Sequence, residues 1–408
     1  MKSSGVEWIG EIPEDWEVKR GKELFFEIND RCKNPENYPL LSVSEYYGVA
    51  PKSEKIDEGD FITHAETLDG YKICQEGDIV QNIMLAWKRA TGMSNYEGLI
   101  SPAYCIYRPF KGVDSKYYHY LFRTDVYADL FKQFSTGIID SRLRLYPAKF
   151  FSLKYAYPPK STQQRIASYL DKKCNKIEET IQKQQQVIEK LKAYKQSLIT
   201  EAVTGKIKIQ NGKVCGKYEN YKDSGVEWIG KIPSEWEAIK AKYFIKISNS
   251  SDPKTEEGDT PVYGSGAESF KTCVEFKEGP TVLIGRKGAT LHIPHYIEEN
   301  YWNVDTAFDV KTYSEEALLL KFYYYCATAF DYKFYLTSTT LPSMTQTNYG
   351  NMYLPVPNTQ TQKEIVELLN NKCTVIDTAI EQKQNLIEKL TEYKKSLIYE
   401  CVTGKKEV

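Results

Sequence analysis

The 408-residue sequence predicts an α+β protein built from two copies of one unit. Each unit is a mixed domain followed by a long helix, and the two helices pair antiparallel as a coiled coil in a pseudo-twofold frame. Three observations carry this. The phrase SGVEWIGEIPEDW at Ser4–Trp16 returns as SGVEWIGKIPSEW at Ser224–Trp236. From Gln163 and Gln362 onward, two long polar–apolar segments align without a gap at an offset of 199, Cys174 on Cys373 and VTGK on VTGK. The chain is also long enough for two domains of ordinary size.

The offset between the opening phrases is 220, so the block between phrase and helix is 21 residues shorter in the second copy. The order reads domain 1–158, helix 159–206, connector 207–222, domain 223–357 and helix 358–408. A repeat of this period is too long for a solenoid.

Each block alternates like sheet with helical inserts. GDIVQNIMLAWKRATG (Gly77–Gly92) reads as a strand, an apolar segment and a basic tip, and SPAYCIYRP (Ser101–Pro109) as a strand. In the second block, PTVLIGRKGATLHI (Pro280–Ile293) reads strand, GRKG turn, strand, and NYWNVDTAFDV (Asn300–Val310) as one more strand. Aromatic-rich stretches at Ser115–Phe134 and Ser314–Phe330 read as helices.

The long segments carry heptads. In the first, the seam is Leu170, Cys174, Ile177, Ile181, Ile188, Leu191 and Leu198. In the second, it is Leu369, Cys373, Ile376, Ile380, Ile387, Leu390 and Leu397. Both seams break at the same places, Gln184 with Lys383 and Lys195 with Lys394. Pro158–Pro159 precedes the first helix, with Ser161 or Thr162 as N-cap. Pro355 and Pro357 precede the second, with Asn358 or Thr359, and Gly205 and Gly404 stop them. Each helix spans about 60 Å at about 1.5 Å per residue.

Composition bounds function. Apolar residues make up 41%, enough for real cores, and no window of about 18 apolar residues predicts a membrane span. The N-terminus lacks a signal core, and the nine cysteines form no CxxC, so a reducing cytoplasmic setting is expected. Net charge is -1, from 54 basic and 55 acidic residues. A nucleic-acid surface would therefore be local. The TGK phrases lack a P-loop's upstream glycine. His292 and His295 have no third ligand nearby, so no metal is expected. With His64 and His119 the only other histidines, no catalytic constellation emerges, and no cofactor is expected.

In this order the residues resemble the specificity subunit of type I restriction–modification systems. The repeated Trp phrase, GDIVQNIMLAWKRATG, SPAYCIYRP, LIGRKGATL, YWNVDTAF and the junctions YPPKSTQQRIASYLD and LPVPNTQTQKEIVELLN carry the resemblance over nearly the whole chain. One departure is that the Glu-Gln common in the family at the helix start is Gln163–Gln164 and Gln362–Lys363 here. The resemblance implies a non-catalytic reader of double-stranded DNA. Each target-recognition domain reads half of a two-part site, and the helices set the gap. Two adenine-methylating modification subunits dock, with a place for restriction subunits. The alternatives are a recognition module of a nuclease-free methylation or defence system, or a coiled-coil scaffold that binds no DNA.

On that reading, the expected DNA contacts in the first block are Lys88, Arg89, Arg142 and Arg144, with Gln81 and Asn82 secondary. In the second they are Arg286 and Lys287, set between two glycines, with Thr339, Thr340 and Ser343 as polar contacts. Trp8, Trp16, Trp228 and Trp236 form apolar clamps, against either a partner or the domain's own core.

Overall fold

The computed structural model describes all residues except 54–67, 69, 256, 267, 289 and 333–341. The chain divides into two units by contact. Unit 1 joins Met1–Lys183 to Asn385–Val408, and unit 2 is Gln184–Gln384. Each unit thus takes a domain, part of one long helix and part of the other.

Unit 1 holds a four-stranded antiparallel sheet of β1 (Phe25–Ile28), β2 (Ile79–Asn82), β3 (Thr91–Met93) and β4 (Tyr104–Pro109), ordered β1-β4-β2-β3. Helices α1 (Ser115–Phe122) and α2 (Asp125–Phe134) follow, where the sequence suggested one continuous helix. Asp114 caps α1 by accepting from the Lys116 and Tyr117 amides. The break falls at Arg123–Thr124, and Arg123 has its own task below.

Unit 2 repeats this plan with β5 (Ile245–Ser248), β6 (Thr281–Gly285), β7 (His295–Ile297) and β8 (Ala307–Thr312), ordered β5-β8-β6-β7. Two expectations are corrected. The strand after the GRKG turn begins only at His295. Leu291 folds directly against Gly285, where a Cβ would sit 2.2 Å from the Leu291 Cα, so the chain turns there. NYWNVDTAFDV is not one strand but Trp302–Asn303 and β8, and only the helix Leu320–Ala329, labelled α4, forms within Ser314–Phe330.

The connector residues carry structure of their own, an antiparallel hairpin of Lys208–Gln210 with Lys213–Gly216. In both units the strand after the Trp phrase pairs with the strand leading into a long helix. Glu17–Arg20 pairs with Lys154–Tyr157, and Glu237–Lys240 with Tyr353–Val356, in corresponding register.

The long helices are α3 (Lys160–Val203) and α5 (Thr359–Val402), 44 residues each. Asn358 accepts from the Thr361 amide and caps α5. Ser161 and Thr162 lie inside the first turn of α3, because Pro159 already precedes its first residue. Gln163 and Gln362, equivalent in the repeat, are fully buried at these starts. Each amide accepts one backbone N–H (Asp114 or Leu319) and donates to two carbonyls, locking helix to domain.

Within each unit the start of one helix packs on the end of the other. In unit 1, Ile166, Leu170, Cys174 and Ile177 share a core with Leu397, Cys401 and Val402. In unit 2, Leu198, Ile199 and Val203 share one with Ile365, Leu369 and Cys373. The pairing in each unit is antiparallel. Leu170, Ile177, Ile188, Leu198, Leu369, Ile376 and Leu397 are buried, and Ile181, Leu191, Ile380, Ile387 and Leu390 partly so. Burial of each aliphatic side chain contributes about 1.5–3 kcal/mol.

The repeated phrase grips the helix ends. Gly404, at φ +72°, lies under Pro13 and Trp16, and Gly205, at φ +69°, under Pro233 and Trp236. The first phrase therefore holds the end of the second helix, and the second phrase the end of the first. Trp16 and Trp236 are buried in these cores. Trp8 and Trp228 sit partly exposed, edge-on to Phe134 at 6.1 Å and Phe330 at 5.2 Å.

Candidate nucleic-acid interface

In unit 1 the core strand β2 runs into a tight turn that lifts a basic tip. The Lys88 amide donates to Leu85 O and the Arg89 amide to Ala86 O, and Arg89 takes a left-handed φ of 68°. A non-glycine residue in that region needs outside support. Arg123 supplies it, a residue the sequence reading missed. Its guanidinium donates to Arg89 O at 2.7 Å, Tyr46 O at 2.8 Å and Glu45 O at 3.0 Å. Burial, with the Arg89 charge beside it, lowers its pKa to about 10, so it stays cationic at neutral pH.

Lys88 is exposed, 5.3 Å from the Trp87 ring, and Arg89 is ion-paired to Asp125. Lys132 joins this turn to the next cations. Its ammonium lies 4.7 Å from the Trp87 ring and 3.0 Å from Asp140, in the loop that carries Arg142 and Arg144. Arg142 is exposed. Arg144 is half-buried, its guanidinium donating to Ser141 O and Leu143 O. Lys88, Arg89 and Lys132 line a cavity of about 660 Å³ together with Asp125 and Asp129, so the positive face is local.

Gln81 and Asn82 are corrected. Both are buried, because β2 is covered on both faces. The Gln81 amide donates to Leu145 O at 3.0 Å, and Asn82 Oδ1 accepts from the Met84 amide. They brace the tip and do not face outward.

Unit 2 places Arg286 and Lys287 directly after β6, at the positions that Ile83 and Met84 hold after β2, ahead of the Lys88–Arg89 turn. The Arg286 guanidinium donates to Asp305 O at 3.3 Å and lies 5.9 Å from the Phe308 ring, while Lys287 is exposed. Gly288 turns at φ +115° and donates to Pro342 O. Ser343 forms a bridge with Lys287. Thr339 and Thr340 lie outside the described residues.

The two tips share one frame. Leu145 donates to Ile83 O at 2.9 Å in unit 1, and Met344 donates to Arg286 O at 3.0 Å in unit 2. Leu145 and Met344 are equivalent at the offset of 199. Each post-strand tip is thus pinned to the segment before the last short helix, while the side chains it presents differ.

Comparison with known proteins adds to this geometry. Residues 233–391 match the family model of the type I restriction modification DNA specificity domain. A relative from Methanocaldococcus jannaschii, named for the type I restriction enzyme MjaX specificity subunit, is 24% identical over 97% of this chain and 95% of its own. The chain is thus similar to the type I restriction–modification specificity subunits over nearly its whole length. The MjaIX specificity subunit of the same organism is 26% identical over 45% of this chain and 43% of its own. Among solved structures, a chain from a study of assembly and conformational transition in the type I R-M system superposes with TM-score 0.71 at 11% identity. That match covers 97% of this chain and all of that chain. The HsdS subunit from Thermoanaerobacter tengcongensis gives 0.55 at 13% identity over the full length of both. At such identities the superpositions speak for the fold.

Proposed function

We propose that this chain is a type I specificity subunit that reads a two-part double-stranded DNA target, one half-site per unit, and that the paired helices set the unread gap. The shared frame with different tips carries the reading: equivalent strands are pinned at Ile83 and Arg286, and the basic pairs that follow them, Lys88–Arg89 and Arg286–Lys287, stand at different positions with different neighbours. Arginine and lysine suit guanine edges and phosphates. The chain itself performs no chemistry. Two adenine-methylating modification subunits dock on it, and restriction subunits join the same assembly. All nine cysteines are unpaired, which suits the reducing cytoplasm where such a complex would meet DNA.

The test is retention of the assembled complex on DNA across a salt series. Neutralised phosphates release counterions, so a reader loses affinity steeply as salt rises. Lys88→Ala with Arg286→Ala should flatten that slope. A complex that shows no retention at any salt would be a scaffold instead.

A further inference from the structure

Beside the basic tip of unit 1 stands an aliphatic side chain with nothing over it. Ile138 is 99% exposed and its neighbour Ile139 54% exposed. Single exposed aliphatics are ordinary on protein surfaces. This one sits at the end of a built hairpin. Thr136 and Arg144 exchange both backbone hydrogen bonds, at 2.9 and 3.0 Å. Gly137 passes so near the returning strand that a Cβ would lie 2.5 Å from Arg142 O. Leu143 and Leu145 are buried and anchor the base, and the Lys132–Asp140 ion pair braces one side. The hairpin thus holds two apolar side chains outward between the cations Lys132, Arg142 and Arg144.

We propose that Ile138 is a wedge that enters the base stack of the half-site read by unit 1, partly unstacking one step. The cations at its flanks, Arg142 foremost, hold the adjacent phosphates. This rests on the DNA-reading proposal above. Two aliphatic side chains are far too little surface for a stable protein interface, which buries about 800 Å² per partner. They suffice for one base step, where aliphatic wedges kink duplexes next to phosphate-gripping arginines. The flanking charge fits DNA as well.

The experiment uses the complex of this chain with its modification subunits. The probe is a target duplex bearing 2-aminopurine at each half-site position in turn. The wild type should raise fluorescence at one step other than the methylated adenine, whose extrusion gives its own signal. Ile138→Ala should abolish that rise and weaken binding on the order of tenfold, and Ile138→Leu should keep both. An abasic site at the same step should restore most of the Ile138→Ala loss, because the unstacking is already done. If Ile138→Ala keeps full affinity and full fluorescence, the wedge is wrong, while target binding by the wild type leaves the DNA reading intact. If Ile138→Ala instead loses modification subunits with its fluorescence unchanged, the tip is a protein contact and the wedge is again wrong. A wild-type complex that cannot tell target from scrambled duplex would remove the DNA reading itself.

Discussion

Lys383 donates from its ammonium to Gln184 Oε1 at 3.0 Å, and these two residues are the same position of the repeat. Where the two seams meet their own equivalents, one copy supplies the donor and the other the acceptor. The flanking seam breaks also pair across the helices, Lys195 with Asp377 and, at the equivalent positions of unit 1, Lys394 with Glu178. Polar seam positions lower stability and fix register. Gln184→Leu alone should therefore destabilise by about 1 kcal/mol, since Lys383 loses its acceptor. Adding Lys383→Leu should recover that loss and exceed the wild type. Thermal unfolding of the two variants checks the sign of both changes.

The grip of the Trp phrase on the helix ends gives a second expectation. Gly404→Ala places a Cβ 2.4 Å from Pro13 Cδ in a left-handed conformation. The change should cost about 2 kcal/mol or more through strain and displaced packing. Gly205→Ala should match it in unit 2, where Pro233 Cδ lies 2.5 Å away. Similar drops in denaturant midpoint for the pair would show that both copies close in the same way.

Acid should loosen unit 1 through His119. Its ring packs over Gly48 and Gly92, and its Nδ1 accepts from the Met93 amide at 3.2 Å. Burial, with Arg123 nearby, lowers its pKa to about 3. Above pH 6.5 it is neutral whether the chain is folded or not. Between 6.5 and 3 only the unfolded chain takes up the proton, so stability falls as pH falls through that window. His119→Gln should flatten the slope in a pH series of unfolding midpoints.

Much of this was legible in the sequence, and what was not has physical reasons. The heptads of α3 and α5 and the glycine stops follow from periodicity and left-handed geometry, which local residues dictate. Gln81 and Asn82 misled because polarity does not say which way a side chain points, and a strand covered on both faces can bury an amide that finds a carbonyl. Arg123 and Lys132 were missed because each acts through partners distant in sequence, Glu45 and Tyr46 for one and Trp87 for the other. The hairpin at 208–216 was hidden by its polar composition.

The helices as spacers make a geometric prediction. Four residues inserted at equivalent positions of α3 and α5 lengthen each by about 6 Å. The preferred gap in the methylated motif should grow by about one or two base pairs, at roughly 3.4 Å per pair. A gap unchanged by the insertion would dismiss the ruler.

The central claim is that two different half-sites are read by one chain. Its most direct test is single-molecule methylome sequencing of a host expressing this chain with its modification subunit, against a host with the modification subunit alone. The account predicts a new two-part motif with a fixed gap and methylated adenine on each strand, present only with this chain. No new motif, with the modification subunit present and active, would contradict it.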